Sequence, residues 1–349
     1  MNYAAQDPNT GALWALVGHG HWGAKLSRDD DGASWRDAAQ IAYPEGSRYI
    51  DGGEPGEHGA EPTFKDATVL KLWCAAFGAD GRIYIGTIPG GLFVSDDGGE
   101  SFELNLALWN HDSRGGDLFA GDGSGKTHWW GTPASEGGEF APGIHSIVLD
   151  PSDPDKLMVA ISTCGVLESR DGGKSWVGRN RGILNDYLPN PAADWGHDPH
   201  FVARCAEQPN HVWQQNHAGV FYSSDAAETW SKVDAPEQGV HFGFPVAADA
   251  KDGLTAWLVR GRSDNERMAI DGSLFVARTT DGGQTWEQLR EGLPQSNVWD
   301  VIYRHALDNA GDHLAFGTTT GNRYVTTDRG DTWQTVGTNF PPIYSVRFG

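Results

Sequence analysis

One short polar phrase, written six times, constrains this chain more than any other feature. It appears as "SRDDDGASW" from Ser27, "SDDGGESF" from Ser95, "SRDGGKSW" from Ser169, "SSDAAETW" from Ser223, "TTDGGQTW" from Thr279 and "TTDRGDTW" from Thr326. The copies close on Trp35, Phe102, Trp176, Trp230, Trp286 and Trp333, and successive copies lie 47 to 74 residues apart. A unit recurring at such a period is a supersecondary element that cannot bury its apolar face alone and must stack on its neighbours.

Each phrase follows an alternating apolar and polar run, as in "GVLESRDGG", and precedes a short second run such as "SWVGRN", so it reads as a hairpin turn. Its Asp accepts backbone N–H bonds within the turn, and its glycines supply positive φ. Two further strands stand before each hairpin. In "GIHSIVLDPSDPDKLMVAISTCGVLESRDGGKSWVGRN" the pattern predicts strands at 145–149, 156–162, 165–169 and 175–178. One four-stranded antiparallel sheet per repeat, without helical periodicity, predicts an all-β fold, a β-propeller filling residues 1–349 as a single domain. Six blades are expected, or seven if one lacks the phrase or is shared between the termini. The closing "PPIYSVRFG" reads as an inner strand that pairs with the N-terminal repeat and closes the ring, removing exposed edges.

Charge narrows the partners. Lys and Arg number 26 against 47 Asp and Glu, a formal charge of −21 that repels phosphate backbones and anionic lipid surfaces. Neither nucleic acid nor a membrane is expected as a partner. No apolar run reaches the roughly 18 to 20 residues that span a bilayer, and the first residues lack a leader pattern. The three cysteines, Cys74, Cys164 and Cys205, show no CxxC spacing, so reduced thiols and a cytoplasmic location are expected.

The phrase S/T-x-D-x-G-x-S/T-W resembles the Asp-box, or BNR repeat. With "GHGHWGAKL", "GIHSIVLDP", "GHDPH", "GVFYSSD", "LAFGTTTG" and "PPIYSVRF", it makes nearly the whole chain similar to sialidase-like BNR-repeat propellers, bacterial proteins labelled glycosyl hydrolase or exo-sialidase-like. The resemblance implies a propeller scaffold, with Asp30, Asp97, Asp171, Asp225, Asp281 and Asp328 as the structural box carboxylates. It does not carry the sialidase site. "DGRIYIGTIPG" offers Arg82 without the arginine motif of those enzymes.

With strands lettered a to d from the axis outwards, the box joins c to d and shares a face with the a–b turns. The b–c turns and blade-to-blade links lie on the other face. There the long segments 43–70, 109–143, 183–199 and 261–272 gather, and irregular loops beyond about 12 residues are usually functional or disordered.

The same face collects histidines. His19, His21 and His217 fall in b–c turns, His145, His200 and His241 open inner strands, and His111, His128 and His197 belong to the insertions. His145, His200 and His241, with Trp73, Trp299 and Tyr344 at equivalent positions, are expected near the axis. Converging imidazoles can hold a divalent metal, here at His145, His200 and His217, can transfer protons near neutral pH, or can serve structure alone. The candidate catalytic set is His21, His145, His200, His217 and Asp198. The candidate substrate-binding set is Trp73, Trp299, Tyr344, Arg260, Arg262 and His241. Further carboxylates, Asp112, Asp264, Glu266, Glu57 and Glu61, offer pairs of the kind glycosidases use. Trp22, Trp109, Trp129, Trp130, Tyr187 and Trp195 suit either sugar stacking or anchoring of the insertions.

Two motifs mislead. "AGDGSGKT" (120–127) lacks the first Gly of a phosphate loop and the helix that must follow, and "DDDG" at 29–32 lacks the bidentate Glu of a calcium loop. Cys164 in "STCGV" is a nucleophile by position only, since a small buried hydrophobe is the commoner role. The leading expectation is a carbohydrate-active propeller enzyme, glycosidase- or lyase-like, with a small-molecule or glycan ligand and no cofactor required beyond a metal in the funnel. The alternative is a non-catalytic propeller that binds a protein or glycan through the same face.

Overall fold

The computed structural model describes all residues except 20, 22, 51–63, 115–141, 187 and 189. Six four-stranded antiparallel sheets follow one another, each strand paired with the next in sequence, giving the blades of a six-bladed β-propeller. Blade one is β1 (Tyr3–Gln6), β2 (Leu13–His19), β3 (Gly23–Asp29) and β4 (Arg36–Asp37). A two-stranded hairpin, β5 (Arg48–Ile50) and β6 (Phe64–Asp66), follows within the first insertion. Blade two is β7 (Lys71–Phe77), β8 (Ile83–Ile88), β9 (Leu92–Ser95) and β10 (Glu103–Leu104), trailed by a one-turn helix α1 (Leu106–Trp109). Blade three is β11 (Ile144–Asp150), β12 (Asp153–Ile161), β13 (Gly165–Ser169) and β14 (Val177–Gly178). Blade four is β15 (Pro199–Arg204), β16 (Val212–Asn216), β17 (Gly219–Ser223) and β18 (Ser231–Lys232). Blade five is β19 (Gly243–Ala248), β20 (Ala256–Arg260), β21 (Val276–Thr279) and β22 (Glu287–Leu289). Blade six is β23 (Leu307–Ala310), β24 (His313–Gly317), β25 (Arg323–Thr326) and β26 (Gln334–Gly337). Among the described residues no helix is long and apolar enough to cross a membrane.

Contacts divide the chain into two compact units, one holding blades one to three and the other blades four to six. In the first, Trp14, Leu16, Ile85, Phe93, Val159 and Leu167 form a buried core. In the second, Trp257, Phe316, Tyr324 and Trp333 form one cluster, and Trp213, Val246, Leu258 and Trp286 another. The indoles tie blade to blade. Trp213 Nε1 donates to Gly253 O at 3.0 Å, and Trp257 Nε1 to Arg329 O at 2.9 Å, so each second-strand tryptophan of blades four and five reaches a turn of the blade that follows.

In the C-terminal segment Ser345 forms a parallel bridge with His305, and Phe348 N donates to Asp308 Oδ2 at 2.8 Å, both within the second unit. In the first unit β1 pairs with β2 from Tyr3↔Leu16 to Gln6↔Leu13.

The repeated turn is a closed hydrogen-bond network. In blade three, Asp171 Oδ1 accepts from Lys174 N (3.0 Å), Ser175 N (2.9 Å) and Ser169 Oγ (2.8 Å), while Gly173 N donates to Ser169 Oγ at 2.8 Å. Asp97, Asp225, Asp281 and Asp328 make equivalent bonds. The first copy differs. Its extra residue moves the role from Asp30 to Asp31, which accepts from Ala33 N (2.9 Å) and Ser34 N (3.2 Å), while Asp30 pairs with Arg28 and Arg36. Trp35 is then 54% exposed, whereas Trp176, Trp230, Trp286 and Trp333 are buried. The closing tryptophans turn back to the preceding blade: Trp286 Nε1 donates to Val233 O at 2.8 Å and Trp176 Nε1 to Asn105 Oδ1 at 3.3 Å.

Two predictions follow from these contacts. Gly98 (φ +74°) has open space where a Cβ would stand, but a Cβ on Gly99 (φ +89°) would lie 2.3 Å from the Trp14 ring. Gly98→Ala should therefore cost about 1 kcal/mol of backbone strain, and Gly99→Ala about 2–4 kcal/mol because overpacking adds to it, as denaturant unfolding will measure. The hydrogen bonds from Ser175 hold the Asp171 carboxyl down at about 2. A depressed carboxyl stabilises the fold above its unfolded value of about 3.9 and loses that contribution as pH falls towards 2. The Tm gap between the wild type and Asp171→Asn should be a few degrees at pH 7 and should close as pH approaches 2.

Candidate functional site

Inner strands place the first side chains. Four of them slip register at the same point, between Leu72 and Cys74, Ile144 and Ser146, Pro199 and Phe201, and Gly243 and Val246. The residues stepped over include Trp73, His145, His200 and Phe244. A bulge re-aims the residue it frees from the ladder, which is why bulges recur beside active sites. In the first unit the rings of Trp73 and His145 stand 6.4 Å apart, with the Lys71 ammonium 5.3 Å from the Trp73 ring. In the second, His200 stacks on Phe244 at 4.8 Å and 27°, with Phe242 and His217 edge-on at 5.4 and 5.6 Å.

His200 is buried, and its Nδ1 lies 2.6 Å from Gly243 O. A carbonyl only accepts, so Nδ1 carries the proton and the Nε2 lone pair faces the other way. His217 sits in the turn between β16 and β17. That turn is shaped by three consecutive buried amides, in which Asn216 Oδ1 accepts from Ala218 N at 3.0 Å, Asn216 Nδ2 donates to Gln214 Oε1 at 2.8 Å, and Gln215 Nε2 donates to His241 O at 2.9 Å. Asp198 lies two residues before His200 and accepts from Thr163 N at 3.3 Å. Within the second unit the His200 and His217 rings are neighbours at 5.6 Å, while Asp198 belongs to the first unit.

An aromatic and cationic wall adjoins His200. Tyr303 packs on Phe244 at 5.0 Å and on Tyr344 at 5.9 Å. Arg304 Nε donates to His200 O at 3.1 Å, and the guanidiniums of Arg304 and Arg267 each stand 5.4 Å from the Phe244 ring. Arg267 belongs to the 261–272 loop and is paired with Asp264 at 2.6 Å. Chemically, two neighbouring imidazoles can exchange a proton with a water or hydroxyl, beside rings suited to a sugar face.

Other residues singled out by sequence stand elsewhere. His145 belongs to no group of three potential ligands among the described residues. His241 is held by Asp234, Nδ1 to Oδ2 at 2.5 Å. Arg260 lies against Gly239, where its Nη1 would be 2.5 Å from a Cβ, and burial lowers its pKa against the pull of Asp271. Arg262 is engaged by Glu266 at 2.8 Å on the surface. Trp299 is 64% exposed, and His21 is exposed in its turn. Arg82 is absorbed by Asp80 and Asp155 at 2.6 and 3.2 Å. Cys164 is fully buried, its Sγ 3.7 Å from Ser113 Oγ, which fits the packing role. Trp109 is buried against Tyr43 at 4.7 Å, and Trp195 against His111 at 5.4 Å, so both anchor insertions. Trp22, His128, Trp129, Trp130, Tyr187, Glu57, Glu61 and the 120–127 motif lie outside the described residues.

Sequence reasoning passed over Phe244, Tyr303, Arg304 and Arg267. The signal was an Asp at a fixed spacing: counting back five from Asp150, Asp249 and Asp308 gives His145, Phe244 and Tyr303. Starting blade five at His241 and blade six at Trp299 missed that register. A separate cleft of about 320 Å³ lies among the turns of the first unit, lined by Asp80, Tyr84, Asp150 and Ser152. Its carboxylates are occupied by Arg82 and Ser152.

No family model matches the chain. It is similar to the oligoxyloglucan-reducing end-specific xyloglucanase of Emericella nidulans, 29% identical over 169 residues, which cover 45% of this chain and 19% of that protein. It is also similar to a xyloglucanase of Paenibacillus sp, 25% identical over 240 residues, covering 58% and 22%. The matches thus span about a fifth of the length of these curated relatives. Among solved structures, an ancestral GH74 enzyme superposes with a TM-score of 0.62 at 14% identity, covering 96% of this chain and 38% of the other. YCF48 bound to D1 peptide superposes at 0.52 with 13% identity, covering 96% and 81%. At such identities the structural likeness concerns the fold.

Two insertion histidines prove to be packing elements with a pH consequence. His197 is buried with Nε2 donating to Ala193 O at 2.7 Å, and His111 is bonded to Trp176 O and Ser113. Burial lowers both pKa values, outweighing the carbonyl bonds and nearby acids. Below the ordinary value of about 6.5 the unfolded chain takes up protons that the folded chain refuses, so this stabilisation is complete above about pH 7 and declines as pH falls. Tm should fall between pH 7 and 5, and the His111→Asn, His197→Asn pair should start lower and fall less steeply.

Proposed function

We propose that this chain is a carbohydrate-active propeller enzyme, glycoside hydrolase- or lyase-like, acting on a glucan of the xyloglucan type at the paired imidazoles of His200 and His217. The observation that carries the substrate class is the sequence similarity to two xyloglucanases, which reaches 29% over 169 residues. The site is argued from its own geometry. A bulge and a carbonyl fix one imidazole in orientation and tautomer, and a second imidazole stands edge-on to it at 5.6 Å. Groups held this way reduce the reorganisation that activating a water or sugar hydroxyl demands. The Phe244, Tyr303 and Tyr344 rings offer apolar area to a pyranose face while its hydroxyls stay hydrated.

The acid–base arrangement differs from a pair of carboxyls about 5 to 9.5 Å apart, because the groups paired beside the aromatic wall are two imidazoles. That feature favours the second reading, a non-catalytic propeller that binds a glycan or protein partner through this site.

The deciding experiment incubates purified full-length protein with xyloglucan and its oligosaccharides, follows products by mass spectrometry and measures binding by calorimetry. Cleavage that falls at least 100-fold in His200→Ala and His217→Ala, with unchanged far-UV spectra, is the expected result. Binding without cleavage, weakened by Tyr303→Ala, establishes the binding reading. Absence of both rejects the glucan.

A further inference from the structure

We propose that Gln215 is the positioning residue of the imidazole pair, holding in one frame the segment that orients His200 and the turn that carries His217. The inference rests on the reading of that pair as the reacting centre, and every group in it belongs to the second unit.

Three elements meet at this side chain. The first is the turn. Asn216 pairs with Gly219 as the last rung of β16 and β17, which leaves His217 and Ala218 as the loop. Gln215 Nε2 donates to the carbonyls of both closing residues, at 3.2 Å to Asn216 O and 3.3 Å to Gly219 O. The second is the stretch entering blade five, where the same amide donates to His241 O at 2.9 Å. Gly243 follows two residues later, and its carbonyl accepts from His200 Nδ1 at 2.6 Å. A Cβ on Gly243 would stand 3.3 Å from Gln215 Oε1, so the amide lies against the residue that sets the His200 tautomer. The third is the bulge. The register of β15 on β16 steps from Pro199↔Asn216 to Phe201↔Gln215, which frees His200 opposite Gln215 and its neighbour.

Chemistry explains why an amide occupies the position. The neighbours of Nε2 are carbonyl oxygens, which only accept, so the donor end of the amide faces them and Oε1 turns towards Gly243. Gln215 is fully buried. A methionine of the same length would fill the volume without a donor, and a lysine or arginine would carry an unpaired charge into a dry site. Without the amide the 241–243 stretch is free to draw the Gly243 carbonyl away from Nδ1, and the turn is free to shift His217 against His200, whose ring it meets edge-on at 5.6 Å. A misplacement of about 1 Å is enough to cost a reaction about 100-fold.

The test compares the full wild-type chain with Gln215→Met, its fold checked by far-UV spectra. Imidazole nitrogen shifts are read by NMR at about pH 8, above the ordinary histidine value, and assigned with His200→Asn and His217→Asn. The wild type should hold His200 in its Nδ1-protonated form. In Gln215→Met the ratio of Nε2- to Nδ1-protonated forms should rise at least about fivefold, the factor expected when a neutral hydrogen bond is lost. The nuclear Overhauser contact between the two rings should weaken in parallel. On xyloglucan oligosaccharides kcat should fall at least about 10-fold with KM within about twofold. Gln215→Asn keeps the donor but withdraws it by one methylene, so it should move the ratio in the same direction, and it replaces Gln215→Met if that variant does not fold. Gly98→Ala, a turn variant of the other unit, should leave the ratio at its wild-type value. An unchanged ratio in the folded Gln215 variant, or the same rise in Gly98→Ala, overturns the assignment. The nitrogen shifts need no substrate, so a wild type that cleaves nothing removes the glucan reading and leaves the positioning to be decided by the shifts, whereas shifts that do not move remove the positioning alone.

Discussion

The carboxylate of the repeated turn is the contact on which the rest of the structure depends. Bonded to two hydroxyls and to at least one backbone N–H group, it closes a loop that a random sequence would leave open to water, and it does so independently in five of the six blades. The closed loop places its second small residue against the preceding blade. A Cβ at Gly99 would meet Trp14, and one at Gly173 would meet Asn105, while Gly283 faces Val233. Turn and seam are therefore one device. The Asp fixes the conformation, the conformation requires positive φ, and the residue that tolerates positive φ also lets two blades approach. Blade four shows what happens without glycine: Ala226 and Ala227 occupy φ of 58° and 67°, and the network is kept at the expense of backbone strain.

Tight stitching at one end of each blade frees the other. A hairpin strand such as β17 carries the structural turn at its C-terminal end and the His217 turn at its N-terminal end, so the second can vary without loosening the first. Buried amides rather than apolar groups support the His217 turn. Gln214, Gln215 and Asn216 are all fully buried, an arrangement that costs desolvation unless bonded and that fixes geometry when it is.

Much of the scaffold was legible in the sequence because its determinants are local. The four strands expected in 145–178 appear as Ile144–Asp150, Asp153–Ile161, Gly165–Ser169 and Val177–Gly178, differing by at most three residues at any end. The one misplaced turn residue, Asp30 for Asp31, came from a single inserted residue that periodicity alone cannot assign. The site was harder, for a physical reason. Aim depends on a bulge, which shifts the alternation by one residue and leaves no compositional mark. Thus His200 and His217 were named as partners, yet His145 was placed with them in the metal set and His241 at an inner-strand start. His145 is beside Trp73 and His241 is bound to Asp234. Phe244 and Tyr303 form the wall beside His200, and only an Asp five residues after each pointed to them.

Charge bears on which ligands such a site can admit. A formal charge of −21 spreads a negative potential over the surface, and its effect on a small ion is opposite to its effect on a polymer. Small cations are concentrated near the protein. Polyanionic chains are repelled, and the local cations at hand are already committed, Arg267 to Asp264 and Arg304 to the carbonyl of His200. A neutral glucan meets neither penalty. The same field thus weighs against a polyanionic chain more than against an uncharged one, with a strength that added salt will screen.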